Sequence, residues 1–111
     1  MAPDQRDLLH RLIFDYLRYG QNRRALGLAL MLASREGEPD PAALRAAAVA
    51  FLAIGRPDRA IDMLDRLDAV EEPAAARHLL RSRALHQLGD LPAARRAFRD
   101  YLDAPDRREA A

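Results

Sequence analysis

The sequence predicts an all-α fold of three helical hairpins stacked side by side as a short solenoid, and three observations predict it. A glycine is followed five residues later by an alanine at Gly20/Ala25, Gly55/Ala60 and Gly89/Ala94, and the glycines fall 35 and then 34 residues apart. Each pair sits in the same frame, an apolar helical stretch, a short polar turn and a second helical stretch, so the unit repeats as a helix-turn-helix. Apolar residues recur at intervals of three and four, and strand formers never alternate with a period of two.

In the first hairpin, Leu9, Leu12, Ile13, Tyr16 and Leu17 mark one helical face. This places a helix over about 4–19, with Asp4 as its N-cap and Asp7 in its first turn. Gly20 takes the positive-φ position that ends a helix at low steric cost. A second helix is expected over about 22–35, turning Ala25, Leu28, Ala29 and Leu32 inward. Arg35 to Pro41 forms a connector whose end, Asp40-Pro41, reads as an N-cap followed by proline at the first helical position. The helix it opens runs over about 41–54 and stops at Gly55. Pro57 and Asp58 start the next, about 57–69, with Ala60, Ile61, Leu64 and Leu67 apolar. Glu71-Glu72-Pro73 is expected to start a fifth helix, about 73–88, because acids are favourable near the positive helix N-terminus. Gly89-Asp90 is the third turn. Pro92 then fits the first turn of a helix over about 91–103, with Ala94, Phe98, Tyr101 and Leu102 as inward candidates. The hairpins thus span about 4–35, 41–69 and 73–103, and the tail 104–111 is expected to fray unless it caps the last of them. Ala25, Ala60 and Ala94 come one turn into the second helix of each hairpin, where a small side chain lets its partner approach closely.

At 111 residues the chain is expected to form a single domain, 1–111. It has no cysteine, which excludes disulfides, thiolate metal sites and thiol catalysis. A net charge of +1 offers no long-range field to nucleic acid or an anionic membrane. Arg95, Arg96, Arg99, Arg107 and Arg108 form a local basic cluster, but Asp90, Asp100, Asp103 and Asp106 interleave with it, unlike a phosphate-binding face. All 18 basic residues are arginine, a planar fork suited to carboxylates and aromatic faces. No apolar run approaches the ~20 residues that span a bilayer. The start, Met1 to Asp7, lacks the basic and apolar regions of a signal peptide. No nucleic-acid partner and no membrane insertion are expected, and the location expected is cytoplasmic.

No catalytic residue, metal ligand or cofactor site is predicted. His10, His78 and His86 are scattered, and none has the spacing of a zinc-binding helix. His86 and Asp90 flank a turn and are expected to share a structural hydrogen bond. Ser34 and Ser82 lie outside any nucleophile-elbow motif. There is no glycine-rich phosphate loop, and the carboxylates read as solvated helix faces. The chain is expected not to be an enzyme.

Stacked hairpins present their first helices on a concave face, where a helix or extended peptide is held by apolar anchors rimmed by charge. By the repeat offset this face collects Asp7, His10, Phe14, Leu17 and Arg18, then Ala42, Arg45, Val49 and Leu52, then Leu79, Arg83 and His86. Phe14, Leu17, Val49 and Leu52 would form an apolar strip, and Arg45 and Arg83 forks for carboxylates. The alternative is that the apolar members belong to the core and the arginines to a solvated face.

These residues resemble the tetratricopeptide family. Its turn glycine matches Gly20, Gly55 and Gly89, and its early second-helix alanine matches Ala25, Ala60 and Ala94. Its bulky residue four before the turn matches Tyr16, Phe51 and Leu85. The second-helix aromatic is matched only by Phe98, with Ala29 and Leu64 in the other copies, and the repeat-ending proline is displaced or missing. The resemblance covers about residues 7–103 and implies a right-handed solenoid that binds protein. His10 and Phe14 stand where cochaperones that read a terminal carboxylate carry Lys and Asn, which argues against that role.

The last hairpin, Leu85-His86-Gln87-Leu88-Gly89-Asp90-Leu91-Pro92-Ala93-Ala94-Arg95-Arg96-Ala97-Phe98-Arg99-Asp100-Tyr101-Leu102, is similar to the end of the small type III secretion chaperones of the YscY type. That resemblance implies a YscX-like export component as client, with a further contact to the YscV export gate. The needle-subunit chaperones of the YscG type have similar length and architecture and remain an alternative. So do an accessory domain docked through its convex face, and a self-associating module whose exposed terminal faces are covered by a second copy.

Overall fold

The computed structural model describes residues 1–34 and 39–110, and among them every regular element is helical. The elements are α1 (Pro3–Arg18), α2 (Asn22–Ala33), α3 (Pro41–Ala53), α4 (Pro57–Asp68), α5 (Ala75–Gln87), α6 (Leu91–Asp103) and a short α7 (Arg107–Ala110). The expected connector residues 35–38 lie outside the described residues. The radius of gyration is 13.9 Å, close to the ~13 Å of a compact chain of this length.

The three glycine turns share one hydrogen-bond scheme. Gly20, Gly55 and Gly89 have φ of 75°, 78° and 84°. Their amides donate to the carbonyls of Leu17, Leu52 and His86. The next amides, of Gln21, Arg56 and Asp90, reach back to Tyr16, Phe51 and Leu85 at 2.8, 2.8 and 3.0 Å. This pair of bonds is the Schellman closure of a helix C-terminus. The carbonyls of Gln21, Arg56 and Asp90 then accept from the amides of Ala25, Ala60 and Ala94, so each turn residue is also the N-cap of the following helix. The five-residue step from glycine to alanine is the length of this junction, and all three alanines are buried.

A Cβ added at Gly55 would meet nothing within 4 Å, so Gly55→Ala tests the backbone alone. It should lose about 1 kcal/mol from the left-handed φ. Gly27 lies inside α2 with equal space around it, and Gly27→Ala should gain about 0.5–1 kcal/mol. Urea titration of both variants measures this, and equal signs would mean that the turn does not require its φ.

The other helix starts depart from expectation in two places. Asp4 is not the N-cap of α1. Pro3 takes the first helical position and Ala2 precedes it, with the Gln5 side chain accepting from the Ala2 amide at 3.3 Å; Asp4 is left as a first-turn acid. Proline at that site is pre-set for helix and lacks only an amide that would have no partner. Helix α5 starts at Ala75, not at 73, because Glu71 is drawn into a turn. The carbonyl and carboxylate of Glu71 both accept from Arg77. Asp40 does cap α3, accepting from the Ala43 amide at 3.0 Å. At the α3–α4 turn, a hydrogen bond from Arg56 holds the Asp58 carboxyl below its ordinary range. That pair faces solvent and adds little to stability.

Each helix packs on its chain neighbours, and α1, α3 and α5 also touch in succession. The main core lies in the first two hairpins: Ile13, Ala29, Leu32, Leu44, Ala47, Ala48, Leu64 and Leu67 are its centre. The third hairpin closes differently. Its buried residues are Ala75, Ala84, Ala94, Ala97 and one cation, Arg77. Phe98 and Leu102, expected to face inward, are each 43% exposed, since among the described residues only α5 and the short α7 pack against α6. Leu12, expected on the inward face of α1, is also exposed.

Ion pairs connect the third hairpin to the second. Arg77 is 4% exposed and donates to Asp68 at 2.9 Å as well as to Glu71. Arg81 reaches Asp65 at 2.9 Å and Asp68 at 2.8 Å. Arg45 of α3 joins through Glu71 at 2.7 Å. The result is one chain of ion pairs linking α3, α4 and α5. The tail completes α5: Asp106 accepts from the Ala75 amide at 3.0 Å, capping a helix that has no cap of its own, and α7 packs on α5 and α6.

Candidate functional site

A groove runs along α1, α3 and α5 and encloses a cavity of about 340 Å³. Helix α1 contributes His10, Ile13, Phe14 and Leu17, α3 contributes Ala42, Arg45, Ala46 and Val49, and α5 contributes Ala76 and Leu80. The lining is almost wholly apolar. Alanines on α3 and α5 form its low side, because a methyl group keeps neighbouring helices close and leaves open space above. Phe14 is 62% exposed and stands as the wall on the α1 side.

The polar groups at the rim are already engaged. His10 Nε2 lies 3.0 and 3.1 Å from the two carboxylate oxygens of Asp40. Asp40 is buried and also caps α3, so the imidazole is held against the first turn of α3. Arg45 is bonded to Glu71 at 2.7 Å and is not an idle fork. A ligand carboxylate at Arg45 would share the guanidinium with Glu71 or displace it.

Of the residues expected on this face, His10, Phe14, Leu17, Ala42, Arg45 and Val49 come together here. Leu52 is half-buried outside the lining, and Arg18 is exposed at the end of α1, also outside it. Leu79, Arg83 and His86 do not join the groove. They lie on the opposite side of α5, in a second groove shared with α6. The reason is geometric. Each odd-numbered helix turns one side to its predecessor and another to its successor, and the offset positions chosen on α5 belong to the successor side. Ala76 and Leu80, on the predecessor side, were missed. Ala42 and Ala46, one repeat earlier, carry the signal that could have found them. The expected bond between His86 and Asp90 is absent among the described residues. Asp90 instead caps α6, accepting from the Ala93 amide at 3.2 Å.

Among the described residues no three His, Asp or Glu side chains are grouped to hold a metal ion, and no helix is long and apolar enough to cross a membrane. No family model matches the chain, and no curated protein matches it.

Proposed function

We propose that this is a small non-enzymatic adaptor or chaperone of tetratricopeptide type, its three hairpins stacked as a short right-handed solenoid. It binds one helical or partly disordered segment of a partner in the groove along α1, α3 and α5. The observation that carries the reading is the apolar cavity crossing three helices at repeat-related positions, with Phe14 and Val49 exposed in it and no core role that requires them there. A partner segment laid in the groove buries its own apolar stripe, which hides it from premature assembly or degradation. The three identical turn junctions support the repeat architecture.

The similarity of Leu85 to Leu102 to the YscY-type chaperones makes a small type III export component the proposed client, held on the cytoplasmic side with a further contact to the export gate. The test is co-purification of the tagged chain from its native host, beside the double variant Phe14→Asp/Val49→Asp. A small export protein should be retained stoichiometrically by the natural chain and lost from the variant at unchanged helicity. A needle subunit in its place would assign the chain to the YscG type. The same proteins retained by both chains would sink the groove as the binding site, and none retained by either would sink the client.

A further inference from the structure

We infer that the groove between α5 and α6 is a second docking site, open for one additional helix, and that its occupant is a partner helix with an apolar stripe flanked by carboxylates. This goes beyond the α1/α3/α5 groove and uses none of its residues.

The packing of the molecule itself defines the slot. Helix α3 lies against both α1 and α2, and α5 lies against both α3 and α4. Each hairpin therefore receives the next odd-numbered helix. Among the described residues the third hairpin receives only the four-residue α7, which does not line the space between α5 and α6, and a cavity of about 800 Å³ remains there. Position by position the slot matches its filled counterparts. Phe98 lies 34 residues after Leu64, and Leu64 lies 35 after Ala29. Leu64 and Ala29 are both 0% exposed beneath a following helix, whereas Phe98 is open. Leu91 carries the apolar lining along α6 and is exposed, Leu79 lines the slot from α5, and Leu102, also exposed, lies one turn beyond Phe98 on α6. Between the walls, Ser82 donates to the Ala94 carbonyl at 2.9 Å, so the floor has its polar group satisfied.

Charge selects the occupant. At the preceding junction α4 supplies acids, Asp65 and Asp68, and the incoming α5 supplies the cations Arg81 and Arg77. Counting 34 residues on from Asp65 gives Arg99. Arg83, Arg95 and Arg99 line the slot, and no carboxylate does. The polarity is inverted, so the incoming helix must carry acids where α5 carries arginine. A second copy fits less well. On α1, Leu8 and Leu12 hold the places of Arg77 and Arg81, and neither offers Arg99 a carboxylate.

The probe is a fluorescent amphipathic peptide of about 18 residues, long enough for partial helicity alone, with a leucine stripe flanked by glutamates. A twin peptide carries arginines in their place. Anisotropy titration against the full chain should show the acidic peptide binding at least about tenfold more tightly than the basic one. Phe98→Asp, at an exposed site that leaves the fold intact, should remove binding, and Arg95→Glu/Arg99→Glu should reverse the preference. Phe14→Asp/Val49→Asp should leave binding unchanged, which separates this site from the other groove. Absence of binding, equal affinity for the two peptides, or loss in the Phe14/Val49 variant would overturn the inference. Sedimentation of the chain alone covers the remaining occupant. Mass that rises with concentration and is abolished by both Phe98→Asp and Leu8→Glu would assign the slot to a second copy instead.

Discussion

Leu64→Ala should lower unfolding free energy by about 3 kcal/mol, within the range for a fully buried leucine, whereas truncation of its repeat counterpart, Phe98→Ala, should cost about 1 kcal/mol or less. The two residues occupy the same position in successive hairpins. Leu64 is 0% exposed in the main core, covered by the helix that follows its hairpin. Phe98 tilts against Tyr101 with ring centroids 5.6 Å apart and otherwise faces the unfilled slot. Parallel urea titrations give both values. If Phe98→Ala costs as much as Leu64→Ala, the slot is closed in solution. Adding the acidic peptide should widen the gap between Phe98→Ala and the natural chain, because only a filled slot buries the ring.

Arg77→Ala should be the most damaging change at a charged position, at about 2–3 kcal/mol. Removing one member of a buried ion pair commonly costs more, but Asp68 and Glu71 retain access to water at 42% and 30% exposure, which softens the loss. Part of the cost is packing, since the arginine stem fills space between α4 and α5 that alanine vacates. The Arg77 Nε is buried with no partner, so the native arrangement already carries a desolvation penalty. Arg77→Met fills the space without that penalty and should cost about half as much or less. Chemical denaturation of the two variants decides it; equal losses would mean that the charge network, not the packing, fastens the third hairpin. The change also bears on binding, because Glu71 links Arg77 to Arg45 at the groove rim.

Both residues show where sequence reasoning stops. Leu64 reads as core from its helical spacing alone. Nothing in the sequence around Arg77 marks it for burial, and only the approach of Asp68 and Glu71 makes that burial tolerable. The candidate groove is half legible for the same reason. Phe14, Leu17, Arg45 and Val49 follow from the repeat offset, but the offset does not state which side of α5 turns toward α3 and which toward α6. Leu79, Arg83 and His86 therefore line the α5/α6 groove and not this one.

The sequence by itself determined the helical elements and the turns between them. A positive-φ glycine, the Schellman bonds and an alanine at the next helix's first turn all lie within ten residues, Tyr16 to Ala25 in the first copy, so their chemistry is local. The tertiary structure decided what those helices cover. Asp106 capping α5 from 31 residues away, the ion pairs across α3, α4 and α5, and the exposure of Phe98 each depend on how helices pack. Burial belongs to a residue's neighbours in space, and Leu64 and Phe98, alike in sequence frame, differ by the helices packed over them.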